Sequence, residues 1–176
     1  MDDAELVKLA QAGERDAFDE IVQRHQRRIY QLCYRFVGNH EDASDLAQDV
    51  FVRAFRALPR FKGDSALGTW LHRIAVNVCL NRKALKTPRF ASIDEVEPVD
   101  VRSERADVTV LRDERAIQVR AAVARLPPKQ RATLILRAYH ELPHDEIAKI
   151  LGSSVGAVKA NFCHALANLK RLMDAS

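Results

Sequence analysis

The sequence predicts an all-α protein: two small helical domains joined by a linker, the second with a helix-turn-helix. Three observations lead there. First, apolar residues recur at helical spacing along most of the chain, and no period-two run bounded by turn residues marks a strand. Second, this periodicity fades from about Thr87 to Asp107, where Pro88, Pro98 and alternating charges mark a connector, flexible or ordered only by a partner. Third, charge is segregated by segment. Residues 1–50 carry 6 basic and 11 acidic groups, residues 51–90 carry 9 and 1, residues 91–115 carry 4 and 8, and residues 116–176 carry 9 and 4. A formal net charge of +4 thus hides two basic modules separated by an acidic connector, which suits contact with DNA at two places. A length of 176 residues allows one ordinary core or two small ones. The expected boundaries are 1–86 for the first domain, 87–108 for the acidic linker and 109–176 for the second domain.

Taken in order, a short helix follows Asp2-Asp3, with Leu6, Leu9 and Ala10 inward and Gly13 closing it. A longer one starts after Asp16. It places Phe18, Ile21, Val22, Ile29, Leu32, Cys33 and Phe36 on one side and ends at Gly38, a residue suited to the left-handed C-cap. The third helix is acidic, with Asp42, Asp45 and Asp49 at i, i+3, i+7 along one side. Pro59, Gly63, Asp64, Ser65 and Gly68 then signal a loop. In the basic helix that follows, Thr69 is suited to the N-cap, and Leu71, Ile74, Ala75, Val78 and Leu85 form the inward stripe. Beyond the connector, helical pattern resumes near Thr109. Leu126–Pro128 ends that helix and opens the next, with Pro128 in a first-turn position. The segment HDEIAKILG, with Ile147, Ala148 and Leu151 inward, reads as the first helix of a helix-turn-helix and Gly152 as its turn. The second helix has Ser154 as N-cap and Val158, Phe162 or Cys163, Leu166 and Leu169 at core spacing.

Between Phe51 and Phe90 stand Arg53, Arg56, Arg60, Lys62, Arg73, Arg82, Lys83, Lys86 and Arg89, against Asp64 alone among acids. Such a tract is the electrostatic footprint expected for a polyanion, most often nucleic acid. On the basic helix a second stripe, Trp70, Arg73, Asn77 and Asn81, sets a stacking ring beside a cation and two amides. Those groups hold strand backbones and read unpaired bases. The plainer reading leaves Trp70 in the core and the polar groups in water. Other classes find less support. There is no glycine-rich phosphate loop after a strand and no nucleophile elbow, so no catalysis is expected. A metal- or redox-responsive regulator could use His140 and His144 with Cys163-His164, but Pro143 breaks the register and no CxxC or HExxH frame exists. A stand-alone helix-turn-helix regulator would need a dimer seam, and no long heptad run is visible. Cys33, Cys79 and Cys163 are scattered among apolar helical patterns and read as buried free thiols, and His25 as a packed core histidine. No apolar leader and no long apolar run occurs, so a soluble, cytoplasmic protein without membrane insertion is expected.

Three segments, AFDEIVQRHQRRIY, ASDLAQDVFVRAFRALPRFKGDSALGTWLHRIAVN and LPPKQRATLILRAYHELPHDEIAKILGSSVGAVKA, each resemble a signature of the extracytoplasmic-function (ECF) type of bacterial sigma factor. They follow in the family's order over nearly the whole chain. The resemblance implies two helical DNA-binding domains, no cofactor and no catalysis, with core RNA polymerase and promoter DNA as partners and an anti-sigma factor as a further one. It assigns Asp45, Leu46, Gln48 and Asp49 to docking on core polymerase. It assigns Phe61, Lys62, Gly63, Asp64 and Ser65 to capture of a flipped minus-ten base, and Arg73, Asn77, Arg82 and Lys83 to the helix holding that element, which agrees with the stripe read from spacing and adds Trp70 to the minus-ten residues. Lys159, Ala160, Asn161, Cys163 and His164 fall where the family reads the minus-thirty-five element. Here the chain departs from the family, since Asn161, His164 and Leu166 stand where basic residues are common.

Overall fold

A computed structural model describes residues 1–82 and 106–175, with side chains from residue 113 onward in the second segment. Among its described residues every regular element is helical, in the order α1 (Asp3–Gln11), α2 (Arg15–Val37), α3 (His40–Ala57), a 3₁₀ turn (Leu58–Arg60) and α4 (Leu67–Asn81), then α5 (Ala106–Ala124), α6 (Pro128–Leu134), a π-helical turn (Ile135–Tyr139), α7 (His144–Leu151) and α8 (Val155–Asp174). Residues 87–105 of the expected linker lie outside the described residues, as do Lys83, Leu85 and Lys86.

Local chemistry sets the ends of these helices. Asp2 caps α1 in a reciprocal box with Glu5, satisfying two amides that the helix start leaves without partners. Gly38 closes α2 at φ 77°, a left-handed conformation that costs glycine nothing. Asn39 caps α3 by accepting the Asp42 N–H at 2.9 Å. The helix-turn-helix is built as its residues require: Gly152 at φ 64° ends α7, and the Ser154 hydroxyl accepts the Ala157 N–H at 3.0 Å to start α8. Replacing Ser154 with alanine is expected to lower stability by about 1 kcal/mol. An unchanged urea midpoint would show that this cap contributes nothing.

One buried cluster runs through both halves of the chain. Ile21, Ile29, Leu32, Phe36, Val50, Leu71 and Val76 supply the first half, and Ile135, Leu136, Ile147 and Val158 the second, all 2% exposed or less. Helix α4 is the hinge of this arrangement, packing on α2 and α3 and also on α7.

Several expectations are corrected. Helix α4 begins two residues before Thr69, with Ala66 at the cap. The Thr69 hydroxyl instead donates to Glu146 of α7 at 2.9 Å. On α8 the inward track after Val158 passes through Ala165, fully buried, while Leu166 is 45% exposed. A spacing of 158, 162, 165, 169 keeps one face, whereas residue 166 lies about 100° further round. Ala165 also lets α6 approach α8 closely. Cys163 is exposed on that outer side, whereas Cys33 and Cys79 are buried free thiols. His25 is half-buried and its Nε2 lies 3.1 Å from Asp3 Oδ2, so it is a bridging rather than a core residue.

Candidate functional site

The charged side of α3 begins with Asp42, but this carboxylate is committed: Oδ1 lies 2.8 Å from Arg82 Nη2, tying the start of α3 to the end of α4. Asp49 pairs with Arg53 one turn on, at 3.1 Å, as an exposed i, i+4 contact of little energy. Asp45 and Gln48 are exposed. Leu46 is turned inward and buried, so it supports the face from beneath rather than forming it.

Next to this acidic edge lies an apolar groove of about 990 Å³ between α2 and α3, lined by Phe18, Val22, Tyr30, Phe51, Val52 and Phe55 among others. Phe55 and Val52 are 53% and 46% exposed, unusual for such side chains on a folded domain. The Phe55 ring meets Phe18 edge to face at 5.1 Å. These residues are absent from the sequence-based assignments. The signal was present: Phe51, Val52 and Phe55 add a second apolar stripe to α3 beside the buried Leu46, Val50 and Ala54 track. Phe18 and Val22 read as core because their spacing matches that of Ile21 and Ile29.

The loop between the 3₁₀ turn and α4 is held from α1. The Gln11 side-chain amide donates to the Leu58 carbonyl at 3.0 Å and the Phe61 carbonyl at 2.9 Å. Phe61 packs on Trp70 with ring centroids 4.7 Å apart. Gly63 takes φ 77°, and a cavity of about 470 Å³ opens between Phe61, Lys62, Gly63 and Ser65 on one side and α1 on the other. Lys62 and Asp64 are exposed. On α4 the second stripe is as spaced: Arg73, Asn77 and Asn81 are exposed and Trp70 half-buried. Arg82 differs, being held by Asp42. Thus Trp70 joins both readings, its ring partly covered by Phe61 and partly open.

On α8, Lys159, Ala160, Cys163 and His164 are exposed and Asn161 is half-buried, so these five share the outer side of the second helix of the motif. The opposite side is held by Val158 and Ala165, and by Asn168, whose amide donates to Gln130 of α6 at 2.8 Å. No group of three His, Cys, Asp or Glu side chains poised for a metal occurs among the described residues. Among them, too, no helix is long and apolar enough to cross a membrane.

A helical body that carries Arg73, Asn77 and Asn81 exposed along one helix, a loop beside it and a helix-turn-helix has the features of a DNA-binding transcription protein. Comparison with known proteins narrows this. Residues 21–87 match Sigma-70 region 2 and residues 116–169 match Sigma-70, region 4. The chain is 37% identical over 172 residues to the ECF RNA polymerase sigma factor SigM of Mycobacterium tuberculosis, covering 97% of this chain and 84% of that protein. It is 34% identical over 172 residues to the RNA polymerase sigma-H factor of Pseudomonas aeruginosa, covering 93% and 89% respectively. Among solved structures, CnrH in complex with the cytosolic domain of CnrY superposes with a TM-score of 0.74 at 28% identity, over 99% of this chain and 98% of that one. The chain belongs to the ECF family of RNA polymerase sigma factors. It acts with RNA polymerase in promoter-specific initiation of transcription. Sigma factors are non-catalytic initiation factors, and the all-helical architecture with a helix-turn-helix agrees with that class.

Proposed function

We propose that the two halves divide this work: residues 1–86 bind core polymerase and the minus-ten element, residues 109–176 bind the minus-thirty-five element, and residues 87–108 link them. The observation that carries this reading is the pairing of an exposed apolar groove with an acidic edge on α3, opposite in character to the loop and α4, which expose Lys62 and Arg73. Asp45, Gln48 and Asp49 steer a basic partner surface, and the groove supplies the desolvated anchor that charge alone does not. Leu46 holds this face in register from below. The loop Phe61–Ser65 captures an extruded base, which favours melting because unpairing costs a few kcal/mol. Trp70, Arg73 and Asn77 hold the neighbouring strand, with the paired Arg82 at the end of α4, and Lys83 adds its charge to the same element. The protein has no catalytic activity of its own and works in the cytoplasm. CnrH, which this chain resembles, is solved in complex with the cytosolic domain of CnrY, and an anti-sigma factor is a further partner of this chain. The acidic edge and groove are the surface for which it competes with polymerase.

Splitting promoter affinity between two modules makes the second contact intramolecular once polymerase holds both, so neither needs high affinity alone. On α8, Lys159 and His164 reach phosphate or base edges, Ala160 and Cys163 permit close approach, and Asn161 pairs with adenine. In vitro transcription with purified core polymerase on a promoter library tests the assignment. Start sites that depend on the added protein are expected, and Asn161→Ala is expected to relax preference at one position of the upstream element. Uniform weakening of every promoter would remove Asn161 as a base reader.

A further inference from the structure

The two halves of the chain meet along a surface that neither polymerase docking nor upstream-element reading uses. Helix α7 lies on α4, where the Thr69 hydroxyl donates to Glu146 Oε2 at 2.9 Å. Arg73 extends to the turn of the helix-turn-helix, its Nη2 3.8 Å from where a Cβ on Gly152 would sit. From α2, Arg28 donates to the His140 carbonyl at 2.9 Å, and the Arg35 guanidinium lies 4.0 Å over the Tyr139 ring. Arg120 of α5 donates to the Tyr34 hydroxyl at 3.3 Å. At the middle of this seam two imidazoles, His72 of α4 and His140 after the π-helical turn, meet edge to face at 5.7 Å, only 5% and 7% exposed.

Their chemistry is unusual for a buried pair. His72 Nδ1 lies 2.6 Å from the Gly68 carbonyl, which can only accept, so this nitrogen carries the proton and Nε2 is bare. That Nε2 is buried without a hydrogen-bond partner. The charged and titratable neighbours are mostly cationic or histidine. Helix α2 presents His25, Arg28 and Arg35, and α4 adds Arg73. Helix α7 presents Glu146, already engaged by Thr69 and 3.9 Å from Lys149, and His144, whose ring packs on Phe162. No carboxylate is hydrogen-bonded to either imidazole among the described residues. A proton added to His72 Nε2 would be buried with no acceptor, and one added to His140 would sit largely out of water beside Arg28 and Arg35.

We propose that the His72–His140 pair is a proton-released latch, which keeps the free protein closed with α7 over the α4 face at neutral pH and lets the halves part as the surroundings acidify. Burial, then His72 and then Arg28 and Arg35, lower the His140 pKa from 6.5 to about 4. Burial likewise lowers that of His72, against a partial rise from its bond to Gly68. In the open form both rings regain water and titrate near their ordinary value. The closed form is therefore fully favoured above pH 6.5 and loses ground as pH falls towards 4, since the open form binds the proton more tightly. For His140 alone the open-to-closed ratio rises about tenfold per pH unit across that window. Opening frees Thr69 and Arg73. Their use by DNA rests on the assignment of α4 to promoter DNA proposed above, whereas opening itself does not.

The test follows distance and binding separately. Cys163 is the exposed native thiol, and Gln23→Cys on the exposed side of α2 gives a second dye site. Energy transfer between them is expected to fall between pH 8 and pH 5 while helix content stays constant. It is expected to remain high in the His72→Phe, His140→Phe double variant, which keeps the rings but not the protons. Thr69→Val is expected to lower transfer already at pH 8. Transfer that does not change with pH in the wild-type chain, or that falls equally in the double variant, overturns the latch. Should the double variant fail to fold, imidazole NMR titration of the wild-type chain decides: both rings titrating at their ordinary value overturns the latch, and depressed titration that tracks the loss of transfer supports it. Opening without any gain in affinity for a single-stranded minus-ten oligonucleotide would leave the latch standing and remove the DNA role of α4.

Discussion

Phe55→Glu is expected to weaken binding of the protein to core RNA polymerase by thirtyfold or more while leaving the chain folded. Phe55 is 53% exposed, so its loss opens no cavity. The cost to stability is about 0.5–1.5 kcal/mol, from the edge-to-face contact with Phe18. Its cost to docking is larger for two reasons. An aromatic anchor at the centre of an interface is commonly worth about 2 kcal/mol or more, and a carboxylate among Phe18, Val22 and Phe51 would be desolvated on docking, a cost that Arg27 and Arg56, which also line the groove, only partly offset. A fluorescence titration against core enzyme measures this directly, with thermal melting as the control. Undiminished affinity would move the docking surface away from the α2–α3 groove. By contrast, Asp49→Asn is expected to do less, because that carboxylate is already shared with Arg53 on an exposed face.

The second large effect concerns stability. Leu71→Ala is expected to cost about 2–5 kcal/mol, the range for emptying a well-packed leucine site. Leu71 is fully buried on α4, and α4 touches α2, α3 and α7. At pH 8, where the histidine pair is neutral, the two halves are expected to melt together, since the buried cluster is continuous between them. Urea denaturation followed by far-UV circular dichroism, with Trp70 fluorescence as a second probe, tests both points. Two separate transitions would show that the halves are energetically independent despite their contact.

Much of this architecture was legible in the residues because the governing interactions are local. Gly38, Gly152, Ser154 and Pro128 mark helix ends through backbone geometry and short-range hydrogen bonds, and each stands where its chemistry predicted. The Arg73, Asn77, Asn81 stripe was readable for the same reason, since periodicity alone sets which residues share a side. What was not legible depends on contacts distant in sequence. Thr69 resembles an N-cap in every local respect, and only the arrival of Glu146, 77 positions on, gives its hydroxyl another partner. Asp42 looks like the head of a docking stripe until Arg82 folds back on it. The second apolar stripe of α3, Phe51, Val52 and Phe55, is visible in the sequence, but periodicity does not distinguish residues that line an open groove from residues that fill a core. The shift from Leu166 to Ala165 is subtler, as both fit a helical spacing and only the close approach of α6 selects the smaller one.

The π-helical turn at Ile135–Tyr139 sets a register as well as a shape. Its wider loop, closed by the His140 N–H on the Ile135 carbonyl, accommodates one residue more than an α-helical turn would. Counting along the chain, a single deletion within those five positions would bring a different side chain to the place that faces His72. The same deletion would alter the approach of α7, and with it the direction in which the second helix of the motif is aimed. Length at this turn therefore carries two consequences together: one residue decides both what meets α4 and where α8 points.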